Sequence, residues 1–201
     1  MQKHNTLAGL FAGLGAASIW GGMYVVSKVV LEVIPPFALL TTRLILGILA
    51  LGIVIAFRAK VSMTRQQALH IFFVGVVGYG ISLGFQFVGT KLSTASNGSL
   101  VTSATPAFIL IFAPFLLAEK TTTRRIIALV ISTLGVLAVI DPRTAELSPS
   151  LFWGNLSLLA AALTWALYSV LVRKVTRGTD VITSTAIMLA GGLPSGILLG
   201  V

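Results

Sequence analysis

The chain has 201 residues, of which 56% are apolar and only 9% charged, and its mean hydropathy is +1.01. An ordinary globular domain carries roughly 25% charged residues, so one core could not hide this much apolar surface, and the composition excludes a water-soluble fold. The net charge of +9 could suit nucleic acid, but the basic residues sit in short segments between long uncharged runs, where lipid headgroups and membrane topology account for them.

A helix needs about 20 apolar residues to cross roughly 30 Å of hydrocarbon. Taken in chain order, seven candidates emerge. The first runs from about Leu7 to Leu31, with Lys28 near its end. It follows a short start, Met1 to Thr6, that only faintly resembles a signal peptide; the run is long enough to span, so cleavage is not expected. The second runs from Pro36 to Phe57 and contains Arg43. The third, from Gln66 to Thr90, and the fourth, from Ser93 to Ala118, hold no Asp, Glu, Lys or Arg. The fifth, Ile126 to Ile140, would be about 22 Å long at 1.5 Å per residue, too short unless it reaches back through Thr121. The sixth is Leu151 to Val172, and the seventh starts near Val181. Pro35-Pro36, Asp141-Pro142, Ser148-Pro149 and Arg177-Gly178 fall where turns are needed.

The positive-inside rule orients these spans. Lys3; Arg58, Lys60 and Arg65; Lys120, Arg124 and Arg125; and Arg173, Lys174 and Arg177 fall on one side, ten of the fourteen basic residues. Lys28, Lys91 and Arg143 fall on the other, with the acids Glu32, Asp141 and Glu146. The expectation is a cell-membrane protein with a cytoplasmic amino terminus.

The sequence also matches itself. A shift of 145 residues lays Gly154–Lys174 on Gly9–Val29, pairing Trp20 with Trp165 and Lys28 with Arg173. Five spans separate the copies, an odd number, so they would cross in opposite directions. Such inverted repeats place a binding site near the membrane midplane. Chance similarity between two Ala/Leu-rich helices is the competing account.

Several residues could line such a site. Trp20 is too deep in its span for an interfacial belt, and Tyr24 lies one turn further; Trp165 and Tyr168 repeat the arrangement. Stacking on a solute and packing between helices are both open to them. Arg43 sits roughly 10 Å below the start of its span, where a charge needs a cavity or a partner. Solute contact, or a snorkelling side chain paired with helix-end carbonyls or Glu32, would satisfy it. Lys28 is expected to pair with Glu32 at i,i+4. Gln86 and Asn97 are amides in hydrocarbon that either bridge helices or line a pore. Thr102 lies in a hydroxyl-rich opening of the fourth span, and Pro106 should kink it and free a carbonyl. Gly9-Gly13 and Gly80-Gly84 permit close helix contact. Glu119 is expected to be a solvated cap. His70 and His4 have no neighbouring ligands, so no metal, catalytic residue or cofactor is expected. With no cysteine, thiol chemistry is excluded.

Trp20-Gly21 with Lys28, Pro36 and Arg43 in the second span, Pro106 in the fourth, Glu119-Lys120-Thr121, Gly135-Val136, then Trp165, Tyr168 and Arg173-Lys174, taken in this order, resemble the drug/metabolite transporter superfamily, EamA type. The resemblance implies an all-α, multi-pass bundle of ten helices in two inverted five-helix units, moving small metabolites without an ATPase motor. On that pattern, residues 7–140 are the first unit and 151–201 the start of the second, about seven transmembrane helices in all. The partners expected are a small-molecule solute and the bilayer, not nucleic acid, and a homo-oligomer is compatible with them. The substrate-contacting set is then Trp20, Tyr24, Arg43, Gln86, Asn97, Thr102, Pro106, Trp165 and Tyr168, serving alternating access. The competing readings are an inactive truncated product, an intramembrane enzyme, and a small four-helix multidrug exporter. All five acids lie outside the spans, which disfavours the last two and also disfavours proton coupling.

Overall fold

The computed structural model describes residues 6–58, 63–139 and 148–200. Every regular element among them is helical: α1 (Thr6–Val30), α2 (Pro36–Ala56), α3 (Arg65–Gly75), a π-helical stretch over Val76–Ser82, α4 (Leu83–Leu92), α5 (Ala95–Thr102), α6 (Thr105–Leu117), α7 (Thr123–Val139), a 3₁₀ turn at Pro149–Leu151, α8 (Phe152–Val175) and α9 (Val181–Leu199). The α3, π and α4 segments form one continuous span, as do α5 and α6. Among the described residues, six spans are therefore long and apolar enough to cross a membrane. The seventh expected span is α7. It forms, but its 17 residues start at Thr123 rather than reaching back to Thr121, and about 25 Å of helix falls short of the hydrocarbon thickness. The chain is a multi-pass helical membrane protein.

Local chemistry sets the helix ends. Thr64 and Gln67 form a reciprocal capping box at α3, Thr94 caps α5 through the Asn97 amide, and Asp180 caps α9 through the Thr183 amide. Pro36 opens α2 with its φ already helical and no N–H to lose. The turn from α8 into α9 needs a left-handed residue, and Gly178 supplies it at φ +75°.

The core is built by backbone approach as much as by bulk. Span α9 lies against α2, α3 and the π stretch, while α8 packs on α4, α5 and α6. A methyl group on Gly191 would collide with the Phe72 carbonyl, and one on Gly154 would lie 2.6 Å from the Leu92 carbonyl carbon. Leu31, Leu40, Leu44 and Phe87 form one buried cluster; Ile71, Val74, Tyr168 and Met188 form the other. Of the expected small-residue contacts, Gly80 meets Ser195 and Gly84 meets Phe37, but Gly9 and Gly13 have nothing within 4 Å.

Two expected polar roles change. Lys28 does not pair with Glu32: its ammonium donates to the carbonyls of Thr90 (3.1 Å), Lys91 (2.9 Å) and Ser93, at the end of α4. Those carbonyls have no partner within their own helix, and the helix dipole adds to the attraction. Glu119 is no simple cap either. It bridges Arg125 at 2.8 Å and Arg173 at 3.1 Å, joining the ends of α6, α7 and α8. Arg58 meets Asp180 at 3.3 Å. Lys3, His4, Lys60, Asp141, Pro142, Arg143 and Glu146 lie outside the described residues.

Candidate functional site

A cavity of about 540 Å³ opens between α1, α4, α5, α6 and α8, within the 300–1,000 Å³ range of small-molecule pockets. Helix α1 turns Trp20 and Tyr24 into it, four residues apart on one face, and α4 contributes Gln86. Thr102 and Pro106 come from the break between α5 and α6, and Trp165 from α8. These are six of the nine expected residues.

Aromatic rings cluster around Trp165. Trp20 and Trp165 meet edge to face with centroids 5.2 Å apart. Trp165 continues into Tyr168 at 4.7 Å and Tyr79 at 5.9 Å, and the two tyrosines lie 5.5 Å apart. Along the wall, the Tyr24 hydroxyl donates to Thr102 Oγ1 at 2.9 Å, and Thr102 donates on to the Gly98 carbonyl at 2.6 Å. Among the described residues no charged side chain lines the cavity; its polar groups are the Gln86 amide, the indole N–H groups of Trp20 and Trp165, and the hydroxyls of Tyr24, Ser99, Thr102, Ser103 and Thr105.

Pro106 accompanies the interruption of the span that was expected of it. It sits in the first turn of α6, and the helix breaks upstream at Ser103–Ala104. The Thr102 carbonyl, four residues before the proline and so denied its usual donor, accepts from the Thr105 hydroxyl at 2.7 Å. It is not left for a solute.

The other three expected residues lie elsewhere. Asn97 is buried and bridges helices: its amide donates to Ser93 Oγ at 3.1 Å and to Asn155 Oδ1 at 3.0 Å. Tyr168 is buried against Gly78, its hydroxyl directed at the Met188 sulfur, 3.6 Å away. Arg43 opens on a separate groove between α1 and α2. Sequence reasoning missed Tyr79, although an aromatic hydroxyl inside an apolar span was a signal, and Asn155, the in-span amide that pairs with Asn97. Among the described residues no cluster of His, Asp or Glu could hold a metal ion.

The helices form a multi-pass membrane bundle with an uncharged, aromatic-lined cavity among its spans. The sequence profile of the EamA-like transporter family matches residues 7–140, and the chain belongs to that family, within the drug/metabolite transporter superfamily. It is 26% identical over 193 residues to the uncharacterized transporter YcxC of Bacillus subtilis, a match covering 96% of this chain and 62% of that protein. It is 30% identical over 138 residues to the uncharacterized transporter YyaM of the same organism, covering 67% and 45%. A protein of known crystal structure shares the fold, with a TM-score of 0.61 at 23% identity over 91% of this chain and 65% of that one. The chain thus spans about three fifths or less of these curated relatives.

Proposed function

We propose that these helices carry a small solute across the membrane by alternating access, and that the cavity beside Trp20 and Trp165 is the solute site. The observation that carries this reading is the lining itself: aromatic faces, hydroxyls and one amide, with no charge among the described residues. A full charge could not be left unpaired there without a cost of several kcal/mol, so the solute class is neutral or internally compensated, with an apolar face that stacks on indole. Trp20, Tyr24, Gln86, Thr102, Pro106 and Trp165 are the contact residues. The chain divides into a five-helix unit over residues 7–140 and the opening helices of a second, inverted unit over 151–201. The ends of α1 and α8, Val30 and Val175, and the starts of α2 and α9, Pro36 and Val181, differ by the same 145 residues as the tryptophans, which supports that division.

The amino terminus is cytoplasmic in this reading. Of the described basic residues, eight lie at the helix ends that alternate crossing assigns to that side, against Lys28 and Lys91 opposite, with Arg43 inside a span. All the described acids, Glu32, Glu119 and Asp180, lie outside the spans, so exchange or facilitated movement is proposed rather than proton coupling.

Counterflow in proteoliposomes tests it. A panel of neutral, zwitterionic and anionic solutes should give uptake with the first two classes only, independent of a protonophore and abolished by Gln86→Leu with Trp165→Ala. Uptake of anions alone, or collapse on adding the protonophore, would sink the reading. Single cysteines, clean in a chain without native cysteine, decide the orientation: labelling at position 58 from outside intact cells would reverse it.

A further inference from the structure

Two basic residues 145 positions apart hold the two ends of one span. Lys28, at the end of α1, donates to the carbonyls of Thr90, Lys91 and Ser93, just ahead of α5. Arg173, at the end of α8, meets Glu119 at 3.1 Å, just after α6. These are residues that the internal repeat lays on each other. Because α1 and α8 cross in opposite directions in the proposed topology, the two contacts lie at opposite membrane faces. The span between them is the one that breaks at Ser103–Ala104, beside the cavity.

The two ends are held with unequal strength. At the Lys28 end a buried knot backs the contact. Asn97 donates to Ser93 Oγ and Asn155 Oδ1, Ser93 donates to Asn155 Oδ1 at 2.6 Å, and a Cβ on Gly154 would meet the Leu92 backbone. Buried polar groups of this kind part only by leaving partners unpaired. At the Arg173 end Glu119 bridges two arginines that are about half exposed, Arg173 and Arg125. Water takes over such charges as they separate, so these pairs hold weakly and part readily. The turn that presents Glu119 passes through Ala118 at φ 51°, a left-handed conformation that a non-glycine residue keeps only under outside restraint.

A second space, of about 320 Å³, lies between α6, α7 and α8, and Pro106 borders both it and the cavity. It follows α6 through Leu110 and Ala113 and ends at Arg125 and Arg173. From Trp165 to Arg173 along α8 is about 12 Å, the reach from the cavity to the helix end. We propose that Glu119 with Arg173 and Arg125 latches the cytoplasmic gate of the solute path, and that α6 swings about the Ser103–Ala104 break when the latch parts. The latch rests on the reading of the cavity as the solute site. The α5 half, tied through Lys28 and Asn97, stays with α1 and α8. At the break the Thr105 hydroxyl already stands in for the donor that Pro106 lacks, so a change of angle there ruptures no helical hydrogen bond at the Thr102 carbonyl.

Ala113 lies on this route and is buried, and the chain has no native cysteine to obscure a label. In inverted membrane vesicles, which present the Arg58 face, Ala113→Cys should react slowly with an impermeant maleimide. Adding Glu119→Gln or Arg173→Gln should speed that labelling about fivefold, the scale of one partly shielded ion pair. Glu119→Asp, which keeps the charge, should stay near the parent rate. Arg58→Gln, which breaks the Arg58–Asp180 pair at the same face, should change nothing. Ser99→Cys, in the cavity wall ahead of the break, should not react faster from the opposite face when Glu119→Gln is added; a rise at both positions would mark general loosening and overturn the latch. So would an unchanged rate at position 113 in both Glu119→Gln and Arg173→Gln. The labelling needs no solute, and counterflow in the parent chain is scored separately. Unchanged labelling with counterflow present overturns the latch alone, whereas absent counterflow removes the solute site beneath it.

Discussion

Trp20 and Trp165 touch edge to face, with ring centroids 5.2 Å apart, although 145 residues separate them in the chain. The contact links α1 to α8 in the wall of the cavity, and Tyr79 and Tyr168 pack on Trp165 in turn. The same offset relates Met23–Arg43 to Tyr168–Met188, each pair joining a first helix to the helix after it through a sulfur contact.

The indole contact should register as an energetic coupling. Trp20→Ala and Trp165→Ala, separately and together, form a double-mutant cycle in thermal unfolding of the detergent-solubilised protein. The expected coupling is about 0.5–1.5 kcal/mol, the range for aromatic pairs beyond their area burial. Strict additivity would mean that the rings are neighbours without interacting.

Gly191 gives a sharper contrast. A methyl there would collide with the Phe72 carbonyl, and backbone cannot swing aside as a side chain can. Gly191→Ala should therefore destabilise the α3–α9 contact by about 1–3 kcal/mol. Gly13→Ala should cost nothing and gain a few tenths of a kcal/mol in helix propensity, because nothing lies within 4 Å of a Cβ at Gly13. Melting temperatures of the two variants check both halves.

What could be read from the sequence was what depends on local order. Pro35-Pro36 marks the start of α2, the charge-free runs mark the spans, and the turn at Arg177-Gly178 follows from residue type alone. Trp20, Tyr24, Gln86, Thr102, Pro106 and Trp165 come together at one cavity because helical spacing sets which face a residue shares. The errors concern choices between partners. Lys28 had an acid one turn away and went instead to three carbonyls more than 60 residues distant, a preference only the packing of α1 on α4 and α5 can decide. The π stretch at Val76–Ser82 leaves no mark in composition either. It widens the helix where Gly78 and Gly80 let Tyr168 and Ser195 approach, and both of those neighbours lie far along the chain.

Asp180 makes a pH-dependent prediction outside the membrane. Its carboxyl is held below the usual carboxylate range, first by the Thr183 backbone N–H and then by the Thr183 hydroxyl, with Arg58 adding to them. Its stabilisation is therefore fully present above the unfolded value near 4 and is lost as pH falls through the lower folded value. Asp180→Ala should melt earlier than the parent at neutral pH, and the gap should narrow as the pH drops below about 4. Asp180→Asn, which keeps an acceptor for the cap, should lack the acid-dependent component. A gap that widened in acid would contradict the depressed carboxyl.

Lys28 separates the local expectation from the observed geometry. If its role were the i,i+4 pair with Glu32, removing either partner would cost a similar few tenths of a kcal/mol. The ammonium instead closes the end of α4, donating to carbonyls that have no other helix partner there. Lys28→Met should thus lower stability by about 1–2 kcal/mol, a value discounted for the partial exposure of the site. Glu32→Gln, at an exposed residue, should be silent. Lys28→Arg should recover part of the loss, because its fork can reach some but not all of three converging carbonyls. Hydrogen exchange adds a local readout: the amides of Leu92–Gly98, which follow the pinned carbonyls into α5, should lose protection in Lys28→Met and keep it in Glu32→Gln. Equal effects from the two substitutions would return Lys28 to the ion pair its neighbours in sequence suggest.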